Sequence, residues 1–141
     1  MRVYWDTSAA INALVSAKVW DRLAVGEHFT RPHMLMEFFS TMTGRGISVL
    51  DAKGQPARFC MTGNDAAAWL RKFCEQVRSV DLDLNQTLDA LDKAQGANVT
   101  GGRVYDYGHG LAAGLAQADV ILTRNTSDFQ DLKGAARLEW P

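Results

Sequence analysis

The sequence predicts an α/β fold, a sandwich built on a mainly parallel central sheet, and three observations lead there. Arg2 to Trp5 and Val120 to Leu122 are short apolar runs of the kind that fill strands buried on both faces. Between them lie longer segments whose apolar residues recur at helical spacing, most of them opened by a capping residue. Strand-like and helix-like segments alternate along the chain, the order produced when parallel strands are joined by helical crossovers.

Composition agrees with one globular unit. At 141 residues, 47% hydrophobic and 22% charged, the chain is most simply a single domain over 1–141 with a sizeable core. Its net charge of −1 excludes the broad basic field of a nonspecific nucleic-acid coat protein, but not one local cleft that handles nucleic acid. No apolar stretch approaches the roughly 20 residues of a membrane span, and no signal-peptide pattern opens the chain. A soluble, cytoplasmic protein with no membrane partner is expected. Cys60 and Cys74 lack metal-site spacing and read as reduced packing residues.

The elements follow in order. After the first strand, Thr7 to about Ala24 reads as helical, with Ile11, Leu14, Val15 and Val19 in phase and Asp6 or Thr7 as cap. Phe29-Thr30 is a brief second strand, and Pro32 fits the first turn of a helix that runs through Met42 and ends near Gly44. Gly44 to Gly63, rich in turn residues around Asp51 to Pro56, is a loop or short surface hairpin without expected chemistry. Asn64 or Asp65 caps a helix to about Val77, with Ala67, Leu70, Phe73, Cys74 and Val77 on its apolar stripe. Val80 to Leu82 is a short strand, and Asn85 caps a helix to about Gln95. Val104 to Ala118 is a helix despite Gly108, Gly110 and Gly114, each costing about 1 kcal/mol relative to Ala. Gly110, Ala113 and Gly114 share a face, so a close approach to the sheet or a neighbouring helix is expected. The strand Val120 to Leu122 and a polar turn follow, and Ala136 to Glu139 closes the sheet.

Four acids occupy positions that such a fold gathers at one sheet edge. Asp6 and Asp128 follow strands, and Glu37 and Asp106 lie near helix starts. Each has an ordinary reading: Asp6 and Asp128 as caps, Asp106 as an acid favoured by a helix dipole, Glu37 as a rim residue paired with Arg45. Glu37 is the most telling, because Met34, Leu35, Met36, Phe38, Phe39 and Met42 surround it and an unpaired buried carboxylate costs several kcal/mol, roughly. Carboxylates sharing a cleft repel unless a cation neutralises them, and an oxygen-only set favours Mg²⁺ or Mn²⁺ over zinc.

Four segments in this order and spacing carry a resemblance: Tyr4-Trp5-Asp6-Thr7-Ser8, Arg31-Pro32-His33-Met34-Leu35-Met36-Glu37-Phe38, Tyr105-Asp106-Tyr107-Gly108-His109, and Leu122-Thr123-Arg124-Asn125-Thr126-Ser127-Asp128-Phe129. Over nearly its full length the chain resembles PIN-domain nucleases, in particular the VapC-like toxins of bacterial toxin-antitoxin systems. The resemblance implies a three-layer α/β/α sandwich and a metal-dependent endoribonuclease that hydrolyses RNA phosphodiesters with an activated water and Mg²⁺ or Mn²⁺. Asp6, Glu37 and Asp106 match the family's three best-kept acids and Asp128 the fourth, with Asn125 and Asp119 as alternatives for that place. Ser8 and Thr123 match its small hydroxyl residues. A cognate antitoxin that inserts a segment into or beside the cleft, and a homodimer, are implied as partners.

Other residues extend the reading. His109, three positions after Asp106, is read as a helix histidine hydrogen-bonding a carboxylate or phosphate rather than as a base, while His28 and His33 look structural or exposed. Arg124 flanks the site as a phosphate contact; Arg45, Arg58 and Arg103 join it only if folding brings them near. Trp20, Trp69 and Trp140 are read as packing aromatics. Two other functions compete: a catalytically silent PIN-like module that binds RNA or protein, and a phosphatase using Asp6 as nucleophile. The phosphatase usually needs a second Asp at position 8, where this chain has Ser8.

Overall fold

A computed structural model describes residues 1–141. Five parallel strands form one sheet in the order β5-β2-β1-β6-β7: β1 (Arg2–Trp5), β2 (Glu27–Thr30), β5 (Arg78–Ser79), β6 (Val120–Leu122) and β7 (Arg137–Glu139). Strand β1 is central, with Tyr4 opposite Phe29 on one side and Ile121 on the other. Successive side chains of β1 and β6 point to opposite faces and seed two cores. Val3, Trp5, Val120 and Leu122 pack with helices α1 (Thr7–Val15), α3 (Pro32–Thr43) and α4 (Gly63–Cys74). Tyr4 and Ile121 pack on the other face with α6 (Arg103–Leu115) and α7 (Thr126–Phe129). The result is the expected three-layer α/β/α sandwich.

The strand order reverses at β1 and β6. From β1 the chain turns into α1 on one face; from β6 it turns into α7 on the other. Adjacent parallel strands whose exits diverge leave a crevice at their carboxyl ends, the place where α/β sheets bind ligands. Asp6 and Thr123 stand there.

Several boundaries differ from the sequence expectation, for local reasons. The first helical segment breaks at Ser16, whose extended backbone and hydroxyl cap a separate helix α2 (Ala17–Trp20), followed by a 3₁₀ turn over Asp21–Ala24. Thr62, not Asn64 or Asp65, caps α4. Asp83, not Asn85, caps α5 (Leu84–Ala94), forming a capping box with Gln86. The fifth strand is Arg78–Ser79 rather than Val80–Leu82; Val80 and Leu82 pack against the second core instead. Cys60 and Cys74 are both exposed free thiols, not packing residues.

Segment 44–63 is a hairpin, β3 (Ile47–Leu50) paired antiparallel with β4 (Pro56–Phe59). Gly46 joins it to α3 with φ of 68°, and a Cβ there would lie 2.2 Å from the Phe59 carbonyl oxygen. Only glycine fits that left-handed, crowded position. In α6 the glycines divide their work. A Cβ on Gly110 would lie 2.3 Å from the Leu132 carbonyl oxygen, one on Gly108 would meet the Arg31 guanidinium, and Gly114 faces open space. The close approach is therefore made by Gly110 against the chain after α7, with Gly114 taking no part.

Candidate functional site

Asp6 ends β1 with its backbone N–H bonded to the Leu122 carbonyl, which ties it to the neighbouring strand. Its side chain is 4% exposed. Oδ1 accepts from the Ala9 backbone N–H at 2.8 Å, the capping bond of α1, and from the Ser8 hydroxyl at 2.7 Å. Oδ2 accepts from the Thr123 hydroxyl at 2.5 Å. Both hydroxyls are themselves held: Ser8 Oγ accepts from the Arg124 N–H at 2.8 Å and Thr123 Oγ1 from the Asn125 N–H at 2.9 Å. Two backbone donors after β6 thus reach one carboxylate through two hydroxyl relays. Burial raises the Asp6 pKa above the ordinary value, against the lowering effect of the Thr123, Ala9 and Ser8 bonds.

Glu37 sits in α3 within a shell of donors. Thr7 Oγ1 donates to Oε2. His33 Nε2 lies 2.6 Å from Oε1 and His109 Nε2 lies 3.5 Å from the same atom. These contacts are close but off-line, so Glu37 Oε1 and both imidazole nitrogens remain buried without an aligned hydrogen bond. Burial would raise the Glu37 pKa; the His109 and Thr7 interactions and the nearby His33 outweigh it and hold the group below its ordinary value. The Arg45 pairing considered from the sequence is not made. His33, read as structural or exposed, is a Glu37 neighbour, and its i, i+4 spacing on one helix was the available signal. Tyr4 and Thr7, read from the sequence only as members of the first segment and, for Thr7, as a possible helix cap, are further contributors.

Asp106, in the first turn of α6, is half-buried and accepts no hydrogen bond. Its pKa is raised by burial and by the charges of Asp128, Asp6 and Glu37, with His109 opposing them. Asp106 therefore feels the charge of all three other acids. Asp128 is exposed in the first turn of α7, which follows β6. Asn125 precedes α7 and makes no capping bond with its side chain. Asp119 is removed as an alternative: its carboxylate accepts from the Arg2 backbone N–H at 2.7 Å, at the opposite end of the sheet.

The surroundings are divided by charge and polarity. On one side His33 stacks on the exposed Tyr105 at 4.8 Å between centroids, beside a cleft of about 190 Å³ lined also by Arg31 and Leu91. On the other side Arg124 lies over the exposed Trp140 ring at 5.2 Å and faces Arg45 and Arg58 across an open groove. Arg103 does not join them, being paired with Asp131. Trp20 and Trp69 pack with Phe73, as expected of core aromatics.

As the side chains stand, no three His, Cys, Asp or Glu residues are gathered closely enough to enclose an ion. Mg²⁺ does not need such a cage, since it keeps several waters and binds through one or two carboxylates. Asp106, with no partner, and Asp6 Oδ2, which accepts a single bond, fit that mode of attachment. No protein-family model matches the chain, and no curated protein matches it.

Proposed function

We propose that this chain is a divalent-metal-dependent endoribonuclease of the PIN-domain type, acting as the toxin of a toxin-antitoxin pair. The observation that carries the reading is the environment of Asp106, half-buried, without a hydrogen bond, and disfavoured as an anion by burial and by the charges of Asp128, Asp6 and Glu37. Asp106 and Asp6 would hold Mg²⁺ or Mn²⁺, with Asp128 and Glu37 near them. When bound, the cation supplies the positive charge that acidifies a water and stabilises charge building on a phosphate.

The chain's own residues fix and tune the acids. Ser8 and Thr123 set the direction of Asp6, and Thr7, His33 and His109 keep Glu37 ionised. Arg124 is placed to meet a phosphate oxygen of the RNA. An antitoxin and a second copy of the chain are the partners that accompany this reading.

The deciding experiment is cleavage of RNA by purified protein with Mg²⁺ or Mn²⁺, compared with Asp106→Asn. Loss of cutting with a melting temperature no lower than that of the parent supports the proposal; equal cutting by the variant refutes it. A silent binding module is the second reading, supported by the absence of an enclosing ligand set. It predicts RNA binding by both proteins and cutting by neither. The phosphatase reading has less support, because Asp6 is nearly buried and position 8 is a serine bonded to it.

A further inference from the structure

Arginines in this protein are mostly neutralised. Arg2, Arg22, Arg31, Arg78, Arg103 and Arg137 each pair with a carboxylate. Arg45, Arg58, Arg71 and Arg124 do not, and three of these line a single groove of about 490 Å³. No Asp or Glu lines it. Thr7 and Ser8, whose hydroxyls bond Glu37 and Asp6, also line it.

The three guanidinium groups come from separate parts of the chain, and those of Arg58 and Arg124 are steadied locally. Arg58, on β4, donates to the Arg45 carbonyl, tying hairpin to helix end. Gly46 permits the tight approach that brings them together. Arg124 is held over the Trp140 ring. Exposed like charges collected without a counter-charge repel one another, so the arrangement suits a polyanion that supplies the missing negative charge.

We propose that the β3–β4 hairpin is a substrate-binding arm, and that Arg45, Arg58 and Arg124 form a track for the backbone phosphates of an RNA strand on the Ser8 side of the acids. This rests on the proposed nuclease reading for its choice of polyanion. The arginines position the strand through its phosphates and carry no base preference. The open, acid-free groove accepts a single strand, and its arginines are positioning residues.

The test uses Asp106→Asn, which keeps the substrate intact, and a fluorescent single-stranded oligoribonucleotide titrated at several salt concentrations. Each phosphate contact to a single strand adds about 0.7 to the slope of log affinity against log salt, so adding Arg45→Gln, Arg58→Gln and Arg124→Gln lowers the slope by about 2. Adding Lys18→Gln, Arg71→Gln and Lys93→Gln, exposed residues outside the groove, leaves the slope within about 0.5 of the parent. Equal losses in both triple variants, no loss in the groove variant, or no binding by Asp106→Asn itself would each overturn the proposal. Cleavage by the wild-type protein is scored separately. Groove-dependent binding without cleavage removes the nuclease and keeps the track, whereas cleavage with a groove-independent slope does the reverse.

Discussion

Tyr4 and His109 meet between the sheet and α6, the phenol oxygen 2.8 Å from Nδ1 in a fully buried contact. Burial pushes the Tyr4 pKa well above its ordinary value, so the hydroxyl keeps its proton. With that hydroxyl donating to Nδ1, the imidazole proton lies on Nε2, the nitrogen that faces Glu37. A core tyrosine thus sets the tautomer of a site histidine. Nε2 stands 3.5 Å from Glu37 Oε1 without an aligned hydrogen bond, so the carboxylate neighbour read from the spacing of His109 is there and the bond is not.

Tyr4→Phe should therefore do more than trim a hydroxyl. It leaves Nδ1 buried without a partner, at a cost of about 1–3 kcal/mol. Urea unfolding should show the midpoint falling with an unchanged slope, and cleavage should fall with it as the imidazole beside Glu37 loses its fixed orientation. A variant as stable as the parent would contradict the buried bond.

Asp106→Asn should abolish cutting while leaving the fold slightly firmer. The carboxylate has no hydrogen bond to lose, and burial and three neighbouring acids disfavour its charge. The expected gain is roughly half a kcal/mol, small because solvent screens a half-buried group. The pH dependence has a definite sign. A carboxyl whose folded pKa is raised contributes stability that is present below the unfolded pKa and is lost as pH rises through the folded value. With a chelator present, the advantage of the variant over wild type should widen from about pH 4 upward and then level off.

Thr123→Val tests the hydroxyl relay. It removes the donor to Asp6 Oδ2 and the acceptor of the Asn125 N–H, and should destabilise by about 1–3 kcal/mol. Thr123→Ser restores both bonds and should recover most of the stability and cutting. Equal behaviour of the valine and serine variants in urea titrations would show that the relay contributes nothing.

Gly46→Ala should displace the hairpin. The alanine Cβ would overlap the Phe59 carbonyl, and the left-handed backbone adds to the strain, for a loss above about 1 kcal/mol. Thermal unfolding measures the loss. Amide exchange should locate the faster opening in β3 and β4 while β1 and β6 keep their protection.

Much of the fold was legible because the strands announce themselves by apolar continuity and the helices by period. The layer order followed from alternating elements, and Asp6, Ser8 and Thr123 converge as neighbours at a strand end. What escaped was non-local. Nothing about the spacing of Arg45, Arg58 and Arg124 shows that a hairpin folds back beside the turn after β6, so surface charge was the ordinary reading for the first two. The Tyr4 hydroxyl was invisible within a strand that is otherwise continuous apolar core. Cap positions slipped by two or three residues; Asp83 and Asn85, for example, are chemically equivalent until the Gln86 side chain closes the box on one of them.

The bond between Thr123 and Asp6 spans 117 positions of sequence. During synthesis Asp6, Glu37 and Asp106 are made before Thr123, which orients Asp6, so a nascent or truncated chain ending before β6 carries these three acids without their arrangement and lacks Asp128. Loop closure over such a span also makes this among the slower contacts to form. If the chain is the proposed nuclease, that sequence of events is a safeguard in time: competence arrives only after β6 and Thr123 have been made.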